Sequence, residues 1–178
     1  MSYIKNVKIS TIFQSALPIN HFEEIAITRK IQLRYARNIL SIKDQFPFTI
    51  FRKKNNIYHI NITGISSIHQ IANAVNWIES NYCPSTKFTL LFQSIDNITS
   101  TFNIGHKLCL NQIAENIKSA KFNPERFPGL YLKTNSALAV IFNSGFINIL
   151  GCKSEKEVLL AWQNIQSKLS AVKMKSIY

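Results

Sequence analysis

Acidic residues are scarce in this sequence, whereas basic residues are abundant. The 178 residues include 9 Asp and Glu but 21 Lys and Arg, so the formal net charge is +12 and the pI is near 9.8. A surplus of this size favours a polyanionic partner, with nucleic acid ahead of a membrane surface. The few acidic residues also supply no convincing carboxylate pair for acid–base chemistry.

Cysteine and histidine are also few and scattered. Cys83, Cys109 and Cys152 are odd in number and far apart, so they fit neither a disulfide framework nor a metal site. We expect buried thiols in a reducing compartment. No Gly-rich phosphate loop or nucleophile elbow is present. We therefore predict that the chain is not an enzyme and holds no metal or cofactor. The histidines lie in separate segments without ligand spacing: His21, His59, His69 and His106.

Long hydrophobic runs are missing too. The apolar stretches are short and are broken by Asn, Lys or Gly, which excludes a transmembrane helix. The first residues, "MSYIKNVKIS", contain no apolar stretch of signal-peptide length. With 46% hydrophobic residues the chain can still bury a substantial core, as one domain or as two small lobes.

An internal repeat is the most informative pattern that is present. The strand-like "YIKNVKISTIF" precedes the helix-like "LPINHFEEIA", and "SIDNITSTFNIG" precedes "KLCLNQIAENIKSAK". Each strand carries one Asn, Asn6 and Asn97, at an offset of 91 (97 − 6). Each half then shows a Phe-Pro pair that we expect to open a strand, at Phe46 and at Phe127.

Each half also closes with a strand and an amphipathic helix. An N-cap box starts each helix, Ser67 with Gln70 and Ser154 with Glu157, at an offset of 87 (154 − 67). The sequence therefore predicts two tandem repeats, residues 1–84 and 85–178, with a long helix closing each.

The strands after Phe127 carry large apolar residues on both faces. In "SALAVIFNSGFINILG", residues 143–145 predict a hairpin turn, with Gly available for positive φ. Alternation then places one set of side chains on a face that the helices do not cover. Such an apolar face usually marks an interface. The alternative is that a dimer partner or another element covers it. The face consists of Leu138, Val140, Phe142, Asn148 and Leu150.

The same segment resembles a known family. "FNPERFPGLYLKT…ALAVIFNSGFINILGCKSEKE" is similar to the second repeat of the TATA-box-binding protein family of general transcription factors. "IDNITS" resembles the family's "IQNIVG", and "IKNVKIST" resembles the same strand in the first repeat. The elements that match in order are Pro124-Glu125, Phe-Pro-Gly-Leu at 127–130, Ile-Phe-x-Ser-Gly at 141–145 and Gly-x-Lys at 151–153.

The resemblance implies both a fold and a function. The fold is an α+β saddle, in which two pseudo-symmetric repeats form one curved antiparallel sheet with helices on the convex face. The concave face lies in the minor groove of AT-rich promoter DNA, where a mostly apolar surface suits A·T pairs. Phe pairs wedge between base steps and bend the duplex.

The resemblance also implies roles for individual residues. Phe127 and Phe142 would be the wedge pair of the second repeat, and Phe46 would belong to the first. Asn6 and Asn97 would donate hydrogen bonds to base acceptors, and Lys133 would contact a phosphate. The alternative for the rings is that they are ordinary core aromatics. The complete DNA-binding set is Asn6, Phe46, Asn97, Thr99, Phe127, Lys133, Leu138, Val140, Phe142, Asn148 and Leu150.

Protein partners follow from the same resemblance. Pro124, Glu125 and Arg126 would bind a transcription factor IIB-like protein, which brings in the RNA polymerase machinery. We expect no transcription factor IIA-like partner, no membrane and no small-molecule substrate. The implied location is the nucleus, or a cytoplasmic viral factory or virion if the source is a virus.

Several departures from the family pattern limit these implications. Asn148 stands where the family has an apolar groove residue. Asn6 to Phe46 spans 40 residues (46 − 6), whereas Asn97 to Phe127 spans 30 (127 − 97). We therefore predict an extended helix or loop around "AITRKIQLRYARN" and the loss of part of the hairpin that would carry a second wedge, for which Phe51 is a candidate. The competing hypothesis is a protein-interaction module that no longer binds TATA DNA.

Overall fold

The computed structural model describes residues 3–52, 55–83 and 89–172. These residues contain ten strands and four α-helices, arranged in two compact units. The first unit is Asn6–Asp96, and the second unit is Asn97 and the described residues after it, together with those before Asn6. The predicted repeat boundary after residue 84 lies outside the described residues.

The first unit follows the order strand, helix, four strands, helix. Its antiparallel strands pair in the order β2-β3-β4-β5-β1. The elements are β1 (Tyr3–Gln14), α1 (Ile19–Thr28), β2 (Gln32–Ala36), β3 (Ile39–Lys43), β4 (Phe48–Arg52), β5 (Ile57–Ile65) and α2 (Ile71–Tyr82).

The second unit repeats this order. Its strands pair as β6-β10-β9-β8-β7, so the predicted internal repeat is visible in the topology. The elements are β6 (Thr89–Asn103), α3 (Leu110–Asn116), β7 (Ala120–Lys121), β8 (Leu130–Lys133), β9 (Leu138–Ile141), β10 (Phe146–Cys152) and α4 (Glu155–Ser170).

The two N-cap boxes behave differently. At α4, Ser154 Oγ accepts from the Glu157 backbone N–H at 3.2 Å, and Glu157 Oε2 accepts from the backbone N–H of Lys153 at 2.8 Å. At the other box, Ser67 caps a 3₁₀ turn, Ile68–Gln70, and α2 begins only after it, at Ile71. The predicted helix is therefore present in each half, and the first begins one short turn later than its box indicates.

Alternating strand residues bury one face of each sheet against the helices. In the second unit Phe102 of β6 stacks on Trp162 of α4, with ring centroids 4.3 Å apart. In the first unit Phe48 of β4 meets Tyr82 of α2 edge-on, with centroids 5.0 Å apart. Each fully buried large apolar side chain contributes roughly 1.5–3 kcal/mol. This packing directs the opposite face of each sheet away from the helices.

Two predictions about the first half are wrong. The segment around "AITRKIQLRYARN" is not an extended helix or loop, because α1 ends at Thr28 and β2 occupies Gln32–Ala36. No hairpin has been lost either, since β3 and β4 pair over four residues, as β8 and β9 do. The span from Asn6 to Phe46 is longer because it reaches the fourth strand of its unit, whereas the span from Asn97 to Phe127 ends before the third. The connection between the second and third strands is shorter in the first unit, with residues 37 and 38 between β2 and β3 against residues 122–129 between β7 and β8.

The alignment of Phe46 with Phe127 is also wrong. Phe127 precedes β8, the third strand of its unit, whereas Phe46 precedes β4, the fourth strand of its own. The half-buried ring of Phe46 packs edge-on against Trp77 of α2, with centroids 5.9 Å apart. The shared Phe-Pro dipeptide therefore does not mark equivalent positions.

The cysteines lie largely as expected. Cys83 and Cys152 are buried, and Cys109 is half-buried. Burial raises the pKa of Cys83 to about 12, and Glu79 adds to this effect, so the thiol stays protonated. Among the described helices, none is long and apolar enough to cross a membrane.

Candidate nucleic-acid interface

The second unit presents an open face, on the side of its sheet opposite α4. Strand pairing sets its residues in rows: Asn148 lies beside Val140, which lies beside Tyr131, and Leu150 lies beside Leu138. Tyr131 and Leu138 are each 38% exposed, although both are large and apolar in character. This pairing agrees with the predicted alternation of faces, and Val140 is the most buried of these residues, with 8% of its surface exposed. This open face comprises Thr99, Thr101, Tyr131, Lys133, Leu138, Val140, Asn148 and Leu150.

Two Phe rings stand together at one edge of this open face. Phe127, in the connection before β8, and Phe142, directly after β9, meet edge-on with centroids 6.1 Å apart. Phe127 also stacks on Tyr131 at 5.3 Å. Both Phe rings are half-buried, in contrast to the fully packed aromatics of the core. The sequence prediction that these two residues form a pair agrees with this geometry.

Gly129 makes room for the pair. A Cβ atom at this position would lie 2.5 Å from Cε1 of Phe127, 3.0 Å from Cγ1 of Val140 and 3.2 Å from Cε1 of Phe142. Any side chain would therefore push against both rings. The requirement for glycine here is steric: the space is already taken by the two rings and Val140.

The same hydrogen bond occurs in both units and fixes one asparagine in each. Asn97 Oδ1 accepts from the backbone N–H of Gly151 at 2.7 Å, and Asn6 Oδ1 accepts from that of Gly64 at 2.8 Å. Each Gly has positive φ, and each lies where the ladder shifts register. Because a backbone N–H can only donate, the side-chain oxygen must face it. The amide nitrogen is therefore left as a donor.

Asn148 is held in a similar way. The hydroxyl of Thr101 donates to Asn148 Oδ1 at 2.8 Å, and in the first unit the hydroxyl of Ser10 lies 2.9 Å from Asn61 Oδ1. Asn97 Nδ2 in turn lies 3.2 Å from Thr99 Oγ1 and can donate to it. Asn97, Thr101 and Asn148 are therefore oriented by neighbours, whereas the outer strands of this face are mainly apolar, with Lys133 at the end of β8.

The first unit has an open face of different character. Pairing across five strands aligns five polar residues in one row: Ser10, Asn61, Thr49, Ser41 and Arg34. The hydroxyls of Ser41 and Thr49 are 3.0 Å apart and hydrogen-bonded. The open face of the first unit comprises this row with its neighbours Lys8, Ile12, Ile39, Phe51, His59 and Thr63.

Equivalent positions can now be assigned from the ladders. Val140 pairs with Asn148 and Thr49 pairs with Asn61, so Phe142 and Phe51 each lie two residues beyond. Sequence analysis named Phe51 only as a candidate, and the topology supports that candidate position.

The equivalent of Phe127 is a different residue type. Phe127 lies four residues before Tyr131, the partner of Val140, and Arg37 lies four residues before Ser41, the partner of Thr49. Arg37 has φ +54° in the two-residue turn between β2 and β3. The first unit therefore has one Phe where the second has two, which sequence analysis missed because it anchored the repeat on Phe46.

A carboxylate also reaches the open face of the first unit. Asp96 Oδ2 lies 2.5 Å from Ser10 Oγ and 3.4 Å from Lys8 Nζ. Sequence analysis gave no indication of this group, because Ser10 and Asp96 are 86 residues apart (96 − 10) and meet only through tertiary structure. It makes this face more polar still.

The connection between β7 and β8 forms an ordered exposed loop. Asn123 Oδ1 accepts from the backbone N–H of Glu125 at 3.2 Å, and its carbonyl accepts from Arg126 and Phe127 at 3.2 and 3.1 Å. The three residues predicted to bind a partner, Pro124, Glu125 and Arg126, are all exposed on it.

Comparison with known proteins shows that the second half of the chain is similar to a family model. The model of the family described as transcription factor TFIID, or TATA-binding protein (TBP), matches residues 93–172. The matched stretch is 80 residues (172 − 93 + 1), just under half of the chain. The resemblance predicted from sequence is confirmed, and members of this family are transcription factors and not enzymes.

Individual relatives extend the match. The TATA-box-binding protein of Archaeoglobus fulgidus is 34% identical over 44% of this chain and 44% of its own length. That of Artemia franciscana is 26% identical over 81% of this chain and 56% of its own length. The chain spans less than two thirds of the length of these curated relatives.

A solved structure supports the fold of the whole chain. Methanococcus jannaschii TBP matches with a TM-score of 0.78 at 24% identity, covering 96% of this chain and 99% of that one. The predicted α+β fold class of the TBP family is therefore confirmed.

The structure brings most of the predicted DNA-binding residues to the two open faces. In the second unit Phe127 and Phe142 lie at the edge of the open face, and Asn97 lies two residues before Thr99 on β6. The predicted residues on the face itself are Thr99, Lys133, Leu138, Val140, Asn148 and Leu150. In the first unit Asn6 occupies the position that matches Asn97. Phe46 does not join them, because its ring lies against Trp77.

Proposed function

We propose that this chain is a TBP-family transcription initiation factor that binds AT-rich promoter DNA in the minor groove and bends it. The observation that carries the proposal is the Phe127–Phe142 pair, half-buried and 6.1 Å apart, at the edge of an apolar open face. Buried aromatics stabilise a core, whereas accessible paired rings beside such a face suit insertion between base steps.

The open face of the second unit matches the chemistry of A·T pairs. In the minor groove these pairs present only acceptors, adenine N3 and thymine O2. Leu138, Val140 and Leu150 supply the apolar surface that faces these pairs without a bulky amino group in the way, and the Asn97 amide nitrogen supplies a donor because its oxygen is already bound to Gly151. The net charge of +12 provides the sequence-independent attraction to phosphates.

The two units contribute unequally to bending in this proposal. The second unit inserts Phe127 and Phe142, whereas the first has Phe51 without a second ring, because Arg37 occupies the equivalent place. We expect the strong kink under the second unit and a weak one, or none, under the first. Phe46 takes no part.

A transcription factor IIB-like protein is the proposed protein partner. The loop between β7 and β8 exposes Pro124, Glu125 and Arg126 in a conformation fixed by Asn123. Binding there would connect promoter DNA to the RNA polymerase machinery. The first unit has only a two-residue turn at the matching place, so no IIA-like partner is expected there. The chain acts where its promoter is transcribed, in the nucleus or, for a viral source, in the viral factory.

A protein-interaction module is the second candidate function. The carboxylate of Asp96 at the open face of the first unit favours it, because a negative charge there opposes the approach of phosphates. In this case the open faces would bind a protein, and DNA binding would be absent.

Equilibrium binding to duplex DNA separates the two functions. An AT-rich and a GC-rich duplex would be titrated at several salt concentrations. A DNA-binding factor prefers the AT-rich duplex, and its affinity falls steeply as salt rises. Absence of binding at low salt would favour the interaction module.

A further inference from the structure

The open faces of the two units differ most on their outer strands. Val140 of the second unit corresponds to Thr49 of the first, because each pairs with the Asn of the neighbouring strand. Tyr131 corresponds to Ser41, because each pairs with the next residue along the same row. The next row is also more apolar in the second unit. Leu138 and Pro47 are equivalent, since each lies two residues before the residue that pairs with Asn. Leu150 and Thr63 are equivalent, since each lies two residues after the Asn.

This difference in polarity affects how each unit can accommodate the guanine N2 amino group. In the minor groove a G·C pair differs from A·T by the guanine N2 amino group, a hydrogen-bond donor. Leu138, Val140 and Leu150 carry no acceptor, so a guanine amino group buried against them would lose its hydrogen bonds to water. The second unit should therefore discriminate strongly against G·C pairs.

The first unit offers the acceptors that the second lacks. Ser41 and Thr49 share one hydrogen bond of 3.0 Å, and each hydroxyl carries one hydrogen and two lone pairs. After that bond is made, the pair still has one hydrogen and several lone pairs available. Such a pair can accept from a guanine amino group, or donate to adenine N3 or thymine O2.

We propose that the open face of the first unit accepts G·C base pairs through Ser41 and Thr49, whereas that of the second unit admits only A·T pairs. This inference rests on the proposed function and names its sequence preference. The recognised element is thus bipartite: strictly A·T under the second unit and tolerant of G·C under the first.

Single-pair replacements in an AT-rich duplex test this inference. Each A·T pair is replaced in turn by G·C or by inosine·cytosine, and affinity is measured by fluorescence anisotropy. Inosine lacks the N2 amino group, so the inosine pair presents the acceptors of A·T in the minor groove. We expect inosine to be tolerated throughout, and G·C to cost roughly tenfold or more in one half of the duplex only.

Two isosteric variants assign the halves to the units. The Thr49→Val variant also carries Ser41→Ala, so that both hydroxyl acceptors of the first unit are removed, and Val140→Thr introduces a hydroxyl at the equivalent place in the second. Thr49→Val should make the tolerant half reject G·C by roughly tenfold, and Val140→Thr should relax the strict half. Thermal unfolding of both variants checks that each remains folded.

The outcomes separate this inference from the proposed function. Equal rejection of G·C in both halves, or an unchanged profile for folded Thr49→Val, overturns the bipartite preference and leaves DNA binding intact. Failure to bind any duplex at low salt overturns the proposed function, and the inference with it. A G·C penalty confined to one half and moved by Thr49→Val supports both.

Discussion

Asn97 Oδ1 lies 2.7 Å from the backbone nitrogen of Gly151 and accepts its hydrogen bond across a register shift. The same bond joins Asn6 to Gly64 at 2.8 Å in the first unit. Because each bond occupies the side-chain oxygen, each amide nitrogen is aimed as a donor before DNA arrives. At Asn97 one amide hydrogen can bond to Thr99 Oγ1, 3.2 Å away, which leaves the other hydrogen for a base acceptor.

Asn97→Asp should weaken binding to an AT-rich duplex without unfolding the chain. The carboxylate can still accept from Gly151, but the donor is gone, and a lost hydrogen bond to a base costs roughly 1–3 kcal/mol. Anisotropy titration gives the affinity, and thermal unfolding gives the stability. Asn164→Asp, an equal change of charge at an exposed position of α4, is the control and should bind normally. Equal affinities for both variants would contradict the role of Asn97.

Phe127→Ala and Phe142→Ala should each reduce DNA bending more than they reduce stability. Both rings are half-buried, so each substitution should cost less than the roughly 3–5 kcal/mol of a fully buried Phe. Phe102→Ala is the matched control, because that ring is 5% exposed and stacks on Trp162, and it should destabilise the fold by about that amount. Denaturant unfolding and a bending assay give the two quantities. Unfolding by either open-face variant would show instead that these rings belong to the core.

Phe51→Ala should change bending far less than Phe142→Ala, although the two residues occupy equivalent places. The reason is that Arg37 stands where a second ring would be needed in the first unit. Circular-permutation or fluorescence measurements of bound duplexes locate the kinks. Two equal kinks, with the first abolished by Phe51→Ala, would disprove the asymmetry.

Lys133→Ala should lower the salt dependence of DNA binding. Lys133 is exposed at the end of β8 on the open face, and loss of one phosphate contact reduces the slope of log affinity against log salt by about 0.9. Lys156→Ala on the exposed side of α4 removes the same charge on the helix side of its unit and should leave the slope unchanged. If both variants alter the slope equally, Lys133 contributes only to the overall charge.

Local patterns sufficed to predict the second unit. Alternation in β9 and β10 and the Gly145 turn specify which side chains share a face, and Gly145 has the positive φ that the turn requires. The helix at Glu155 follows from its N-cap Ser154. These features depend on residues that are close together in the sequence, so they can be predicted from a single sequence.

The first unit could not be predicted in the same way, because its register depends on pairing across strands. The turn at Arg37 and Asn38 contains Asn but no Gly, although Arg37 adopts a left-handed conformation, so its turn signal is weak. The Phe-Pro dipeptide at Phe46 then led to a wrong alignment of the first unit with the second. Contacts such as Ser10 with Asp96 join residues 86 apart, and no local pattern reveals them.

Bending of an end-labelled duplex, measured by fluorescence energy transfer, tests minor-groove recognition most directly. Three duplexes would be compared: an AT-rich site, the same site with inosine·cytosine pairs, and the same site with G·C pairs. Inosine·cytosine preserves the minor-groove acceptors of A·T but changes the major groove. We predict that the AT-rich and inosine duplexes are both bound and bent, and that the G·C duplex binds more weakly. A duplex bound without bending, or binding that is lost on the inosine duplex, would contradict minor-groove recognition by this chain.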